Sequence, residues 1–537
     1  MTSIRMARAV LAAVAALGLV TAVPVEAAQP LEPGRVLVAP FETHGEPRAA
    51  WLGEGVALLL ADDLAELGVD AISYDERVRA FERLQVPPNA PLSRGTIIRI
   101  GQLVRATTVV TGRVALEGDG LAITVRAIRI DTGRIDADFE ERGPLDSLFQ
   151  TVRRAARRLK PGAPEPSPAE PRPTLAAFEF FVRGLLAEHA DTQIELFNRS
   201  LAIAPRFDRA RLHLSRVHAE VGDFARARDV ALAVPPGSPL ADRARFQAAV
   251  AEIALEQYGD AFERLQRLAE RTNAPEVYNN LGVIQLRRGG TPQTGGPTFY
   301  FTKAADADPA SPEYTFNLGY AYWREKDYPA ALYWLRETVR RDPTDGDAHF
   351  VLAAALDATG NRVEAGRERE LARRLSAAWE EQPETVAPDD VPDGLERIRP
   401  WLDPPGARRT DQLLEQREQQ EQQDMVRFHL DRGRRFFERE NDGEALAELQ
   451  RVTYLSPYEA EAHLIIGRIH LRAGRVAEAI EAFTIALWSR ETPEGHVALG
   501  EAYLQAKEPE RARREAERAL ALAPGLPEAT ALLERLR

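Results

Sequence analysis

The stretch Asn317 to Pro343 reads NLGYAYWREKDYPAALYWLRETVRRDP, and its mixture of very large and very small side chains decides the fold. Gly319 and Ala331 allow two helix backbones to approach closely, while Tyr322, Tyr328 and Leu335 fill the space beside them. A helical hairpin that thin encloses too little apolar surface to stand alone, so it requires neighbours of its own kind. The Asp-Pro at 342–343 ends the second helix, as a residue lacking a backbone N–H does.

The neighbours are found at a step of 34 residues. Gly319 falls on Ala353 and Ala331 on Ala365, while in the other direction Thr338 falls on Ala304 and Pro343 on Pro309. Ser215 steps to Ala249 and Ala227 to Ala261. Near the C-terminus Gly433 steps to Gly467 and Ala445 to Ala479, and a step of 33 then reaches Gly500 and Ala512. Self-similarity at one period is the mark of stacked supersecondary units.

In Leu318-Gly319, Tyr322, Asp327-Tyr328, Ala331 and Asp342-Pro343 the chain resembles the tetratricopeptide repeat family. The pattern recurs in Leu281-Gly282, in Ile466-Gly467 with Gly474 and Ala479, and in Leu499-Gly500 with Tyr503, Ala512, Ala519 and Pro524. Repeats are expected at about 174–205, 206–237, 241–274, 275–309, 312–343, 346–376, 426–457, 460–491 and 493–524, followed by a closing helix from Pro527. The fourth carries an insertion, Gly289 to Pro297.

Composition breaks set the other boundaries. Pro161 to Pro173 (PGAPEPSPAEPRP) is a Pro-rich linker, and 377–409 is a second proline-rich, acidic connector between a first array at 174–376 and a second at 410–537. Thr410 to Glu440 reads as one long helix whose Gln-rich part lacks an apolar heptad. Residues 35–160 behave differently. Val36 to Phe41 is a buried-strand run, Trp51 to Leu67 an amphipathic helix, Val69 to Tyr74 a second strand and Leu92 to Val104 a second helix. Thr107 to Leu116 and Leu121 to Ile130 alternate across Glu117-Gly118-Asp119-Gly120, a hairpin turn, with an edge strand at Arg134 to Glu141 and a last helix at Leu145 to Leu159. On Ala39-Pro40-Phe41, Trp51-Leu52-Gly53-Glu54-Gly55, Val110-Thr111-Gly112 and Asp131-Thr132-Gly133, this domain resembles the amino-terminal domain of TolB-like and FlgO-like envelope proteins, which implies a binding or assembly module. The expected class is α+β overall and mostly α: a small α/β domain followed by an all-α superhelical solenoid.

Arg5 and Arg8, the apolar run Ala9 to Val23 and the small residues Ala27 and Ala28 form the zones of a secretory signal over 1–28. The run is 15 residues, short of the ~20 a membrane-crossing helix needs. Cleavage and an extracytoplasmic, periplasmic location are therefore expected, with no transmembrane span in the mature chain. Cysteine is absent from all 537 residues, which excludes disulfides, thiolate metal sites and cysteine nucleophiles. A net charge of −13 disfavours nucleic acid, and the cluster Arg153, Arg154, Arg157, Arg158 and Lys160 sits where cations offset a helix dipole.

Catalytic patterns fail one by one. The nine histidines form no His-Glu-x-x-His, and His218 and His470 occupy a position where this repeat family often has tyrosine. The glycine-rich insertion lacks the Gly-Lys-Ser/Thr of a phosphate loop, and Gly53 and Gly55 lack a third glycine. Asp62-Asp63, Glu380-Glu381 and Asp389-Asp390 are adjacent carboxylates accounted for by solvation, and no Gly-x-Ser-x-Gly elbow exists. No enzyme, cofactor or metal is expected. The expected function is that of an exported scaffold binding protein or peptide partners in the cell envelope; the alternative is a ligand sensor whose α/β domain takes a small molecule or glycan. Stacked hairpins expose a wall made by the first helix of each pair, and on it helical spacing places Glu276, Asn279 and Val283, then Phe316, Tyr320 and Trp323, then Phe350; Phe316, Tyr320, Trp323 and Phe350 would make a peptide-binding stripe. The second array carries Arg434, Arg468 and Arg472 on the same wall, suited to an acidic segment.

Overall fold

The computed structural model describes residues 34–45, 49–84, 86, 93–164, 172–291, 294–380, 391–402 and 407–536. The expected signal segment 1–28 lies outside them, as do most of the first linker and parts of the second connector. The chain divides into two compact units, at Phe207 and Asp208.

The first unit opens with strand β1 (Arg35–Val38), β2 (Glu42–Gly45), helix α1 (Trp51–Glu66), β3 (Asp70–Ala71), α2 (Tyr74–Arg83) and α3 (Arg94–Leu103). It continues with β4 (Thr108–Glu117), β5 (Gly120–Arg129), β6 (Ile135–Pro144) and α4 (Leu148–Leu159). The sheet order is β3-β1-β4-β5-β6, with β2 alongside the far half of β4. Pairings on the β1 side are parallel and those of β4-β5 and β5-β6 antiparallel. β1 is buried along its whole length because it has a neighbour on both sides and helices over it. The second strand expected at 69–74 shrinks to two residues, since Ser73 accepts from the Glu76 N–H and starts α2 there through a capping box. Neither α2 nor β2 was expected from the sequence. The hairpin turn stands at Gly118, whose φ of 61° suits glycine. Gly53 is a packing residue: a Cβ there would lie 2.2 Å from the Phe41 carbonyl oxygen.

The basic cluster is spent inside this unit. Arg153 pairs with Asp63 at 2.7 Å and Glu66 at 2.6 Å, and Arg154 and Arg158 both pair with Glu141, at 3.2 and 3.1 Å. A first helix pair, α5 (Leu175–Leu186) and α6 (Ala190–Ile203), completes the unit. Phe178 of α5 packs edge-on against Trp51 and Phe149, at ring distances of 6.1 and 5.4 Å, so the first hairpin closes the α/β core.

The named elements of the second unit are helices. Its first array comprises α7 (Asp208–Glu220), α8 (Phe224–Leu232), α9 (Ala241–Ala254), α10 (Tyr258–Ala269), α11 (Pro275–Arg288), α12 (Pro297–Ala307), α13 (Pro312–Arg324), α14 (Tyr328–Arg341), α15 (Gly346–Ala358) and α16 (Arg362–Leu375). Its second comprises α17 (Ala407–Glu438), α18 (Asp442–Leu455), α19 (Ala460–Arg472), α20 (Val476–Ser489), α21 (Pro493–Gln505), α22 (Pro509–Leu522) and α23 (Pro527–Arg535). Each pair is pressed together at a small residue. A Cβ on Gly319 would lie 2.9 Å from Leu335 Cγ, and one on Gly467 would lie 2.5 Å from the Phe483 ring.

The turn inside most pairs has the same backbone solution. A residue of left-handed φ ends the first helix at Gly222, Glu256, Lys326, Gly360, Glu440, Gly474 and Lys507, whereas Gly289, at φ 80° and ψ 122°, leads into the insertion. Where glycine stands, this costs little; where Glu or Lys stands, each hairpin carries local strain that stacking with its neighbours offsets. A second recurring device is a His–Glu bridge from the first helix to the second: His349 to Glu368 at 2.5 Å, His429 to Glu448 at 2.6 Å and His496 to Glu515 at 2.6 Å.

The two arrays meet despite the connector between them. Arg367 of α16 donates to the Pro457 carbonyl at 2.7 Å, and its Nη1 lies 3.1 Å from His463 Nε2. Tyr458 packs against the apolar cluster of the first array that contains Val351 and Leu352.

Candidate functional site

The wall expected to bind a peptide is covered by a segment of the chain itself. Residues 391–402, read from composition as part of a connector, lie along the first helices of α11, α13 and α15. The segment is VPDGLERIRPWL, with apolar residues at Val391, Leu395, Ile398, Trp401 and Leu402. Val391 is 6% exposed and Leu395 rests in the cluster of Phe316, Tyr320 and Trp323. Ile398 reaches the clusters of Leu281 and of Val283, each of which includes Tyr278.

Three asparagines read its backbone. Asn317 accepts from the Arg397 N–H at 2.7 Å and donates to the Arg397 carbonyl at 2.8 Å. Asn280 does the same for Arg399, accepting at 2.9 Å and donating at 2.8 Å. Asn279 donates to the Arg397 carbonyl at 2.8 Å, and its own oxygen accepts from Asn317 at 2.7 Å. A primary amide offers one acceptor and two donors side by side, which matches the N–H and C=O of a single extended residue. All three asparagines are buried, so their amides need partners, and the segment supplies them. Tyr320 donates from its hydroxyl to the Pro392 carbonyl at 2.8 Å, and burial pushes that phenol up, keeping it a neutral donor.

Charge then selects side chains. Arg287 pairs with Glu396 at 2.6 Å, Asp345 with Arg397 at 2.5 Å, and Glu313 with Arg399. Glu396 is almost wholly removed from water, and desolvation of Arg287, which lowers its pKa, is outweighed by that carboxylate, so the guanidinium ends above its usual range. The Arg397 guanidinium lies 4.0 Å over the Phe316 ring and that of Arg399 5.9 Å over Tyr314. Arg324 pairs with Asp393, and Arg216 of α7 stacks 4.7 Å over Trp401. From Asp393 to Trp401 the segment therefore runs back along the array, against the order of the repeats.

Of the residues singled out from the sequence, Asn279, Phe316 and Tyr320 contact this segment directly. Phe350 stacks instead on Trp379 at 3.8 Å and 6°, in the short 3-10 turn after α16. Val283 and Trp323 are buried in the clusters beneath the segment, and Glu276 is buried too. The basic trio of the second array is mostly engaged: Arg434 pairs with Glu461 and Arg472 with Asp442, while Arg468 is exposed. Asn280, Asn317, Arg287, Glu313 and Asp345 are the residues of the groove that sequence reasoning missed. The signal for Asn280 and Asn317, with Asn279, was amides within two otherwise apolar helix faces, which in a core demand polar partners.

In the glycine insertion, the Thr294 and Gly295 carbonyls are bonded by side chains of the flanking helices. Gln285 donates to the Thr294 and Gly295 carbonyls at 2.9 and 2.6 Å, and Tyr300 to Thr294 at 2.8 Å. These are loop carbonyls held by side-chain donors, the reverse of an anion cradle. Among the described residues no group of His, Asp and Glu is placed to hold a metal ion, and no helix is long and apolar enough to cross a membrane.

Residues 300–346 and 430–496 match one tetratricopeptide repeat model, and residues 493–526 match a second. No curated protein matches the chain. Solved structures similar to it include YrrB, described as a tetratricopeptide repeat protein with an unusual peptide-binding site, at 16% identity and a TM-score of 0.28 over 34% of this chain and 94% of that one. MamA from Desulfovibrio magneticus is similar at 19% identity and 0.27, over 30% of this chain and 91% of its own. The C-terminal part of a repeat-containing protein from Cytophaga hutchinsonii is similar at 12% identity and 0.27, over 60% and 99%. The matched segments lie in both arrays, so residues 300–346 and 430–526 carry the tetratricopeptide repeat pattern.

Proposed function

We propose that the chain is an exported, non-catalytic scaffold whose repeat arrays bind extended segments of protein partners in the cell envelope. The observation that carries this reading is the first-array groove: Asn279, Asn280 and Asn317 are arranged to hold a peptide backbone, and acidic and basic residues beside them sort side chains. Such a surface has the chemistry of recognition, with main-chain bonds supplying affinity and flanking charges supplying selectivity. The α/β domain, through its resemblance to TolB-like and FlgO-like domains, adds a second assembly surface. Residues 1–28 carry the reading of export, with their charged, apolar and small-residue zones.

The test has two parts. Mass spectrometry of the chain recovered from a bacterial host should show a mature N-terminus near Gln29 in the periplasmic fraction; an intact Met1 in the cytosol would remove the envelope setting. Crosslinking in cells should then recover a defined partner whose yield falls at least tenfold when Arg468→Glu is combined with Asn317→Ala. Unchanged recovery would show that neither wall is the binding surface.

A further inference from the structure

The geometry points to the groove over α11, α13 and α15 as a peptide site kept occupied in cis, whose ligand in trans is an extended peptide of acidic-Arg-apolar-Arg pattern that displaces residues 391–402. The inference deepens the scaffold reading and rests on it.

Three features separate this segment from ordinary core. First, its backbone is bound by side chains rather than by a strand or helix of its own, so its hydrogen bonds are of the kind a separate peptide makes. Second, its recognition is specific at four consecutive positions: Glu396 to Arg287, Arg397 to Asp345, Ile398 to the cluster around Tyr278, and Arg399 to Glu313. Third, much of it stays near water: Pro392, Asp393, Gly394 and Pro400 are exposed, and both arginines are only partly covered. A segment meant only to fill a core has no use for a guanidinium at alternate positions, each with its own carboxylate. The groove therefore carries a readable code, and the resident copy sets the affinity an outside ligand must exceed. Tethering gives the resident an effective concentration of about a millimolar. A trans peptide of equal intrinsic affinity is thus excluded until the resident is weakened or outmatched.

The experiment uses the full chain and a fluorescein-labelled synthetic peptide of sequence VPDGLERIRPWL, read by anisotropy. Arg397→Ala plus Arg399→Ala removes the resident's two arginine contacts, to Asp345 and Glu313, and leaves the groove's own residues unaltered. The double variant should bind the peptide at least tenfold more tightly than the unaltered chain, a scrambled peptide should bind neither, and adding Asn317→Ala should abolish the gain. Equal binding by the altered and unaltered chains, or binding that survives Asn317→Ala, overturns the inference. Circular dichroism checks that the double variant is folded; if it is not, Ile398→Asp, which changes one side chain of the resident segment, takes its place with the same expectations. Should no variant take up the peptide while a partner is still crosslinked through the second array, the segment is a fixed part of the core: this inference falls and the scaffold reading stands.

Discussion

Replacing Asn317 by Ala isolates the hydrogen bonding that seats the resident segment. The side chain makes three bonds, to the Arg397 N–H at 2.7 Å, to the Arg397 carbonyl at 2.8 Å and to Asn279 Oδ1 at 2.7 Å. The carbonyl keeps Asn279 as a donor, so truncation orphans two groups: the Arg397 N–H and Asn279 Oδ1. Each buried polar group left without a partner costs about 1–3 kcal/mol, so the segment should lose roughly 2–4 kcal/mol of its hold once some water enters. Asn317→Asp should do at least as much damage, because a carboxylate would face two acceptors. Trypsin reads the effect locally. The segment holds two arginines, and Arg399 precedes Pro400, which leaves the bond after Arg397 as its cleavable one. Where opening is fast relative to cutting, cleavage follows the open population, and a loss of this size raises the rate by roughly 30-fold or more. An unchanged rate in Asn317→Ala, with the helices still folded by circular dichroism, would refute the asparagine clamp.

Further outcomes follow from the stacking. His463 is buried, its Nε2 lies 2.8 Å from the Pro457 carbonyl, and burial followed by the Arg367 charge lowers its pKa to about 3. A depressed histidine withholds stability as pH falls from its unfolded value near 6.5 towards the folded one, about 1.4 kcal/mol per unit, so the unfolding free energy from urea titrations should drop by roughly 2–3 kcal/mol between pH 6.5 and 4.5, and this slope should flatten in His463→Gln. His349 acts in the opposite direction: desolvation lowers its pKa, but the Glu368 bond and charge outweigh it and the net shift is upward, so its contribution is present below pH 6.5 and is lost as pH rises through the folded value. His349→Gln should therefore remove an alkaline loss and leave the acid limb unchanged. Gly467→Ala would place a Cβ 2.5 Å from the Phe483 ring, and thermal melting should show a cost of about 1–3 kcal/mol. At the inner turns, Lys326→Gly, at φ 62°, should raise stability by several tenths of a kcal/mol, whereas Gly474→Ala, at φ 74°, should lower it by about 1 kcal/mol.

The repeats were legible because their determinants are local and periodic. Gly319 and Gly467 sit where backbones touch, and each of those contacts can be foretold from a 34-residue step. Strand β2 and helix α2 were not legible: β2 exists through parallel pairing with a strand some 70 residues away, and α2 through the capping box at Ser73. The groove was half legible. Its aromatic wall follows from helical spacing, but proline content concealed what occupies it. Within the connector, Leu395-Glu396-Arg397-Ile398-Arg399 sets charged residues among apolar ones, the mixture that the groove pairs residue by residue. The asparagine bonds to its backbone span 80 to 119 residues, beyond any local rule. In the second array, charge alone placed Arg434 and Arg472 on a binding wall, whereas Glu461 and Asp442 neutralise them one helix pair away.

Hydrogen exchange of the native, full-length chain tests most directly whether its own residues fill the first-array groove. The Arg397 and Arg399 amides, held by Asn317 and Asn280, should exchange as slowly as the helices that flank them, and a digest fragment spanning 391–402 should retain protection for hours. Exchange of that fragment at the rate of free chain, with α11 and α13 still protected, would contradict the account.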